Sequence, residues 1–316
     1  MSDRPAVLVV GAASRDLVAD DPRGWRLGGA VNYASLALAR LGFDVRALVG
    51  ADREAADAAE LEALNAAGVA IAIADLASGP VFDNARHLLH STSDRLPLTA
   101  LPRRWTSGLD GLLLAPVADE TGHEWAGLAS EEHGPVVALG WQGLLRVLGA
   151  GELVRPRPPV ATPVVRAAHL VVASREDVLT GTAPETLALL LRPGATLVWT
   201  EGVAGGLVLR GGEAGATGPA RRYPAIPSER VVDPTGAGDV FLAAMLATML
   251  QPGLVDGLDD PTTFAAAAAS LVVEGPGLEA VPDLAAVRRR AARAPSLASR
   301  RPSDDSSRGS GRPSQA

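Results

Sequence analysis

The 316-residue sequence contains no cysteine. That excludes a disulfide framework, a thiolate nucleophile and any Cys-based zinc or iron–sulfur site. Lysine is missing as well, so all 29 basic residues are arginine. Schiff-base chemistry and a P-loop lysine are therefore excluded. Aromatic residues make up only 3% of the chain, so Ala, Val and Leu must fill its core. No apolar run reaches the ~18 residues of a membrane span, and the N-terminus lacks a basic segment ahead of a long apolar stretch. Positive charge is also short: the formal net charge is -7. A protein that coats nucleic acid usually needs a basic face. The expectation is a cytoplasmic protein with neither a nucleic-acid nor a membrane partner.

What is present is a repeating alternation. Residues 6–10 (Ala-Val-Leu-Val-Val) form a continuous apolar run ending at Gly11, the pattern of a strand buried on both faces. Residues 31–41 carry apolar positions at helical spacing and stop at Gly42. Strands are predicted again over 45–49, 112–114, 136–139, 170–172 and 196–199, with helices over 54–67, 184–191 and 240–250 between some of them. Strand–helix alternation of this kind argues for an α/β chain with a mostly parallel sheet and helices on both faces. Active sites in such sheets lie beyond the carboxyl ends of the strands. Residues 79–98 break the rhythm and are expected to hold short edge strands. From residue 295 the composition turns to Ser, Arg, Pro and Gly, so one domain over 1–294 and a disordered tail over 295–316 are expected.

The most informative stretch is Asp233-Pro234-Thr235-Gly236-Ala237-Gly238-Asp239, which runs into the apolar segment 240–250. Its glycines can take positive φ, and such a turn directs successive backbone N–H groups into one concavity at a helix N-terminus. That is an anion hole suited to a transferring phosphoryl group, with Gly236, Ala237 and Gly238 as its members. Asp239 in the first turn is placed to accept a proton from an attacking hydroxyl, and the helix dipole favours its charged form. The competing structural reading is an Asp that only caps its helix.

This string resembles the second signature of the ribokinase-like (PfkB) family of carbohydrate and nucleoside kinases. The resemblance extends over residues 6 to about 290. Gly11-Ala12-Ala13-Ser14-Arg15-Asp16 is similar to the end of the family's first strand, which implies a substrate-binding role for Asp16. Gly28-Gly29 resembles the family's di-glycine turn, implying close backbone approach to the substrate. Val49-Gly50-Ala51-Asp52 resembles its V-G-x-D. Thr200-Glu201-Gly202-Val203-Ala204-Gly205 resembles the T-x-G-x-x-G turn near the nucleotide phosphates, making Thr200, Gly202 and Gly205 cofactor-binding candidates. Residues 264–277 resemble the helix and loop beside the adenine. The resemblance implies a three-layer ribokinase-like fold with a β lid, Asp239 as general base, ATP and Mg2+ as cofactors, and a small hydroxyl-bearing acceptor as partner, in a monomer or homodimer.

Departures from the family pattern leave alternatives. The family's substrate-touching Asn falls at Tyr33, while Asn32 stands one residue earlier and is either a ligand or a helix-side residue. The N-x-x-E magnesium motif is replaced by Ser174-Arg175-Glu176-Asp177, with Asp177 or Glu176 in place of the Glu, or else an ordinary acidic first turn. Only 11 residues separate Asp16 from Gly28, so a reduced lid is expected, as in the inositol and nucleoside kinase branches. Gln142 and Arg146 are candidates to line the acceptor end, against a plain loop role. Asp233 and Thr235 match positions that hold a monovalent cation in some relatives, against simple turn formation. A non-catalytic ligand-binding sensor and a vitamin kinase of the pyridoxal or hydroxymethylpyrimidine type are the competing functional readings.

Overall fold

The computed structural model describes residues 4–129, 134–212, 219–258 and 260–294. The tail expected over 295–316 lies outside the described residues. The chain opens with β1 (Ala6–Ala12), the short strands β2 (Ser14–Leu17) and β3 (Trp25–Gly28), helix α1 (Ala30–Arg40) and β4 (Asp44–Ala51). Two short helices, α2 (Arg53–Ala56) and α3 (Glu60–Ala66), lead to β5 (Ala70–Asp75) and the hairpin β6 (Val81–Asp83) and β7 (Leu88–Ser91). Then come β8 (Gly111–Leu114), β9 (Val136–Gly140) and three two-residue strands, β10 (Arg146–Val147), β11 (Glu152–Leu153) and β12 (Arg155–Pro156). Helix α4 (Pro163–Ala167), β13 (Leu170–Ser174), α5 (Pro184–Ala188) and β14 (Thr196–Thr200) precede the antiparallel strands β15 (Gly206–Arg210) and β16 (Arg221–Tyr223). Helices α6 (Ala237–Leu250), α7 (Pro261–Val272) and α8 (Leu284–Ala292) close the described chain.

The central sheet has the order β16-β15-β14-β13-β9-β8-β1-β4-β5, parallel except at the β15–β16 edge. β1 sits inside it, paired with β4 from Ala6↔Asp44 to Ala12↔Gly50 and with β8 on its other side. Every residue of β1 is buried, and its alternation divides the core. Val7 and Val9 face a layer that includes α1, α3, α6, α7 and α8, whereas Leu8 and Val10 face a layer of α4, α5 and the large side chains Trp105, Trp125 and Trp141. A period of two with apolar residues on both faces requires cover on both faces, and the helices supply it.

Helix α6 is apolar around its whole circumference and is buried from Val240 to Thr248. It packs on α1 and α7 and on β8, β9 and β13. A helix with no polar face belongs inside the protein, and this places its N-terminal turn at the carboxyl rim of the sheet.

Two predicted elements differ from those observed. The helix expected over 54–67 is two helices. Asp52 caps the first by accepting from the Ala55 N–H at 2.9 Å, and that helix ends at Asp57 before α3 begins. The helix expected over 184–191 ends at Ala188. The lid is short in its strands but complete as a sheet: five strands in the order β11-β7-β6-β2-β3. The connection between Asp16 and Gly28 supplies one hairpin of it, and distant segments add the other three strands.

Candidate active site

The site forms where the lid meets the carboxyl rim. Gly236 caps α6 with φ +82°, a left-handed conformation that favours glycine. A Cβ at this position would also overlap the ring of Tyr33. Gly236 is therefore required twice, for its backbone angle and for its closeness to α1. Gly238 faces open space, with nothing within 4 Å of a Cβ built on it. The turn is held from behind by Asp233, which accepts the Thr235 N–H at 2.9 Å and the Gly277 N–H at 3.4 Å. Both Asp233 oxygens thus serve the turn, and Val232 donates its N–H to the Val273 carbonyl at 2.8 Å.

Asp239 lies in the first turn of α6, partly open to solvent but surrounded by protein beyond. Burial pushes its carboxyl up to about 7, the negative charges of Asp177 and Asp16 add to the rise, and Arg146 opposes it. The helix dipole favours the charged carboxylate, and loss of solvation and two like charges oppose it. A base whose pKa lies near the operating pH is well matched to proton abstraction.

Asp16, on lid strand β2, is pushed up to about 6 by burial and by Asp233, and is held by hydrogen bonds from Ser14 at 2.9 Å and from Asn84. Its carboxylate lies where a Gly28 Cβ would be, so only glycine fits opposite it. Gly29, φ +95°, packs against the backbone of Ala12 and Ala13 and starts α1. Asn32 is fully buried and donates its side-chain N–H to the Gly28 carbonyl at 2.7 Å. This bond is the helix-side role: the amide fixes the di-glycine turn from within, and its Oδ1 is buried without a protein partner. Tyr33 takes the position facing the site. Its ring touches Gly236, and burial together with Asp233, Asp16 and Asp239 holds its phenol protonated. A step of one residue turns an α-helix by about 100°, which is why residue 33 faces the site while residue 32 points inward.

At the end of β13, Asp177 is buried and pairs with Arg146 at 2.8 Å. Ser174 caps this turn by accepting the Glu176 N–H at 3.2 Å, and Glu176 is exposed. Gln142 is half-buried in the turn after β9. Thr200, Gly202 and Gly205 stand in the turn after β14, on the same rim, with Gly202 at φ +56° and Gly205 at φ +83°. Among the described residues no cluster of three or more His, Asp or Glu side chains forms a metal cage.

Three features were not foreseen: the direct contact of Tyr33 with Gly236, the bond from Asn84 to Asp16, and Glu120. Glu120 is fully buried, and its carboxylate accepts the backbone N–H groups of Ala12 at 2.8 Å, Ala118 at 2.8 Å and Val117 at 3.1 Å. It ties the loop after β8 to the point where β1 leaves the sheet for the lid. Burial raises its pKa despite these donors. Asp52 of the V-G-x-D stretch is also structural. Besides capping α2, it pairs with Arg15 of β2 at 2.8 Å and so anchors the lid.

Residues 157–284 match the model of the pfkB family carbohydrate kinases. The chain carries a pfkB-type kinase segment on a ribokinase-like fold. That segment includes Asp177, the turn after β14 and the whole α6 turn, and it supports a phosphotransferase. The pfkB-type fold extends beyond the segment. A pyrophosphate-dependent kinase in the ribokinase family, complexed with a pyrophosphate analog and myo-inositol, superposes with a TM-score of 0.70 at 19% identity, covering 87% of this chain and 98% of that one. A ribokinase from Cryptococcus neoformans var. grubii serotype A in complex with ADP gives 0.63 at 17% identity, covering 90% and 99%. The nucleoside kinase of Methanocaldococcus jannaschii gives 0.59 at 15% identity, covering 91% and 98%. No curated protein matches the chain in sequence.

Proposed function

We propose that the chain transfers the γ-phosphate of ATP to a hydroxyl of a sugar, an inositol-like polyol or a nucleoside. The observation that carries this reading is the convergence of Asp239, Asp16, Tyr33 and the Asp177–Arg146 pair around the N-terminal turn of α6. Asp239 is the base that takes the proton from the acceptor hydroxyl. The backbone N–H groups of Gly236 and Gly238, at the positive end of the α6 dipole, stabilise the charge that builds up on the transferring phosphoryl group, and the Ala237 N–H, given to the Pro234 carbonyl at 3.4 Å, must turn to join them. Asp16 holds the acceptor from the lid side, beside the close-packed Gly28–Gly29 turn. Thr200, Gly202, Gly205 and Thr235 flank the donor phosphates along the rim.

Magnesium bound through donor phosphates needs only one or two carboxylates and keeps several waters. The facing carboxylates of Asp177 and Asp239, whose mutual repulsion raises Asp239, suit that demand. Asp177 is the nearer choice, since Glu176 is exposed. When bound, the cation supplies charge neutralisation on the donor. A monovalent cation near Asp233 and Thr235 would share a carboxylate already committed to two backbone donors, so turn formation is the role we assign to Asp233.

The donor has a second reading. Three of the structural neighbours are pyrophosphate-dependent kinases, with TM-scores of 0.70, 0.70 and 0.66. Both readings use the same hole and base, and differ only in what lies beyond the reacting phosphate. The deciding experiment is an acceptor panel of sugars, inositols and nucleosides with magnesium and either ATP or pyrophosphate, with product detection. Transfer to a hydroxyl establishes the reaction. Ligand binding without transfer to any acceptor by either donor would instead establish a non-catalytic sensor, and transfer to a pyridine or pyrimidine alcohol alone would establish a vitamin kinase.

A further inference from the structure

Beside the site, between the end of the β6–β7 hairpin, the loop after β8 and the β10–β12 ribbon, lies a cavity of about 350 Å³. Its walls bring together Arg95, Arg146 and Arg157. The one carboxylate in those walls is Asp119, which Arg95 and Arg157 share at 3.3 Å and 3.6 Å. Arg146 is paired outward, with Asp177. The neighbouring Asp94 is engaged elsewhere, accepting the Ser78 N–H at 2.9 Å. Two guanidiniums on a single carboxylate leave positive charge unbalanced, in a chain whose net charge is -7. Thr92 and Ser93 bring hydroxyls to the same wall. Arginine presents several N–H donors in a planar fork that matches phosphate and carboxylate oxygens. The surroundings hold two of these forks in place. Arg157 donates Nε to the Leu144 carbonyl at 2.8 Å, and Arg146 is fixed by Asp177. Asp119 itself stands at φ +58°, an uncommon conformation that turns up at binding sites.

We propose that this cavity binds the phosphate or carboxylate group of a small molecule. Arg95 and Arg157 grip the oxyanion, and Arg146 forms the wall shared with the α6 site. Two sources supply such a group. One is an acceptor with an acidic substituent, seated with its hydroxyl toward Asp239; this source rests on the kinase reading above. The other is a free anion held as an effector, which does not depend on that reading.

The test begins with calorimetric titration of inorganic phosphate into the full chain. Phosphate is also a ligand for the α6 turn, so the titration is repeated on Gly238→Asp, whose new carboxylate repels anions there and has open space to occupy. Phosphate binding should survive in Gly238→Asp and weaken by roughly tenfold in Arg95→Ala/Arg157→Ala, as expected for loss of charge-assisted hydrogen bonds. Arg95→Ala alone, at a largely exposed side chain, should give a smaller weakening without risk to folding. Neutral and phosphorylated or carboxylated versions of one acceptor then separate the sources. A KM that rises in the double variant for the acidic acceptor only, with kcat kept, assigns the cavity to the acceptor. Altered phosphate binding with no such KM change assigns it to an effector. Phosphate binding that disappears in Gly238→Asp and is untouched by the double variant would overturn the proposal, whether or not the chain proves to be a kinase.

Discussion

The two halves of the candidate site are built in opposite ways. The α6 half is one contiguous stretch: Asp233 folds the turn, Gly236 allows it, and Asp239 follows in the first turn of a helix buried on all sides. The lid half is assembled from residues far apart in the chain. Asp16 and Gly28 come from one hairpin and Asn84 from another, while Asp52 and Glu120 hold the base of the lid. The first half is fixed by the core of the protein; the second rests on short strands, side-chain pairs and one buried carboxylate. The chemistry is therefore expected to depend on the rigid half, and acceptor choice on the assembled half.

The largest effect that would break this division is at Asp239. Asp239→Asn should lower kcat by roughly 10²–10⁴-fold, the usual contribution of a general base. Donor binding, followed by calorimetry, should stay near wild type. The substitution also removes a carboxyl whose raised pKa bears on stability. A folded-state pKa above the unfolded value contributes stability that is complete below about 4 and is lost as pH rises through about 7. Asp239→Asn should therefore melt higher than wild type at pH 8, with the difference shrinking toward pH 5. A variant with near-normal turnover would remove Asp239 from its role.

The next effect concerns the turn itself. Gly236→Ala must take a left-handed φ and push its methyl into the Tyr33 ring. The two penalties together should cost about 2–4 kcal/mol in a urea or thermal unfolding series, if strain and overpacking add. Relief by the double variant Gly236→Ala/Tyr33→Ala would trace the overpacking part to that contact. Equal stability of the single variant and wild type would show that the turn is not pinned by α1.

How much of this was legible in the sequence follows from the same contrast. The buried strand at 6–10, the α1 and α6 helices and the 233–239 turn were readable because each is set by neighbours in the chain: an apolar run, a helical period, a pair of glycines. Short strands were expected within 79–98, where β6 and β7 lie, but their assembly with β2, β3 and β11 into one five-stranded lid was not legible, because it rests on partners up to many tens of residues away. Asn32 was readable as a residue near the site but not in its orientation, which depends on helix phase relative to Gly28. The charges that surround Asp239 are hidden in the sequence for a similar reason. The local dipole is visible in sequence, whereas Asp177 and Asp16 reach it only through the fold.

A smaller effect sharpens that last point. In the pH profile of kcat/KM, activity should rise as Asp239 loses its proton, with the acid limb near 7. Asp177→Asn removes the like charge and leaves Arg146 free to act on Asp239. Both changes favour the carboxylate, so the limb should move toward lower pH by roughly one unit. The absolute rate will fall too if Asp177 helps to order magnesium, so the position of the limb is the readout. A limb that stays in place would mean that burial and Asp16, not Asp177, set the pKa of Asp239.

The smallest expected effect lies at the base of the lid. Arg15 ties β2 to Asp52 and to Glu54, and its guanidinium lies over the ring of Trp25 at 5.8 Å. The pair with Asp52 is mostly shielded from solvent, while Glu54 is exposed. Arg15→Ala should therefore cost only about 1 kcal/mol of global stability, because a partly exposed ion pair contributes little. Its effect on the acceptor should be larger than its effect on the fold, since Arg15 neighbours Asp16 on the strand proposed to carry the acceptor side of the site. KM for the acceptor should rise several-fold while kcat at saturation and KM for the donor hold. If instead kcat falls and KM for the acceptor is unchanged, the lid is part of the chemical step, and the division between a rigid half for chemistry and an assembled half for recognition fails.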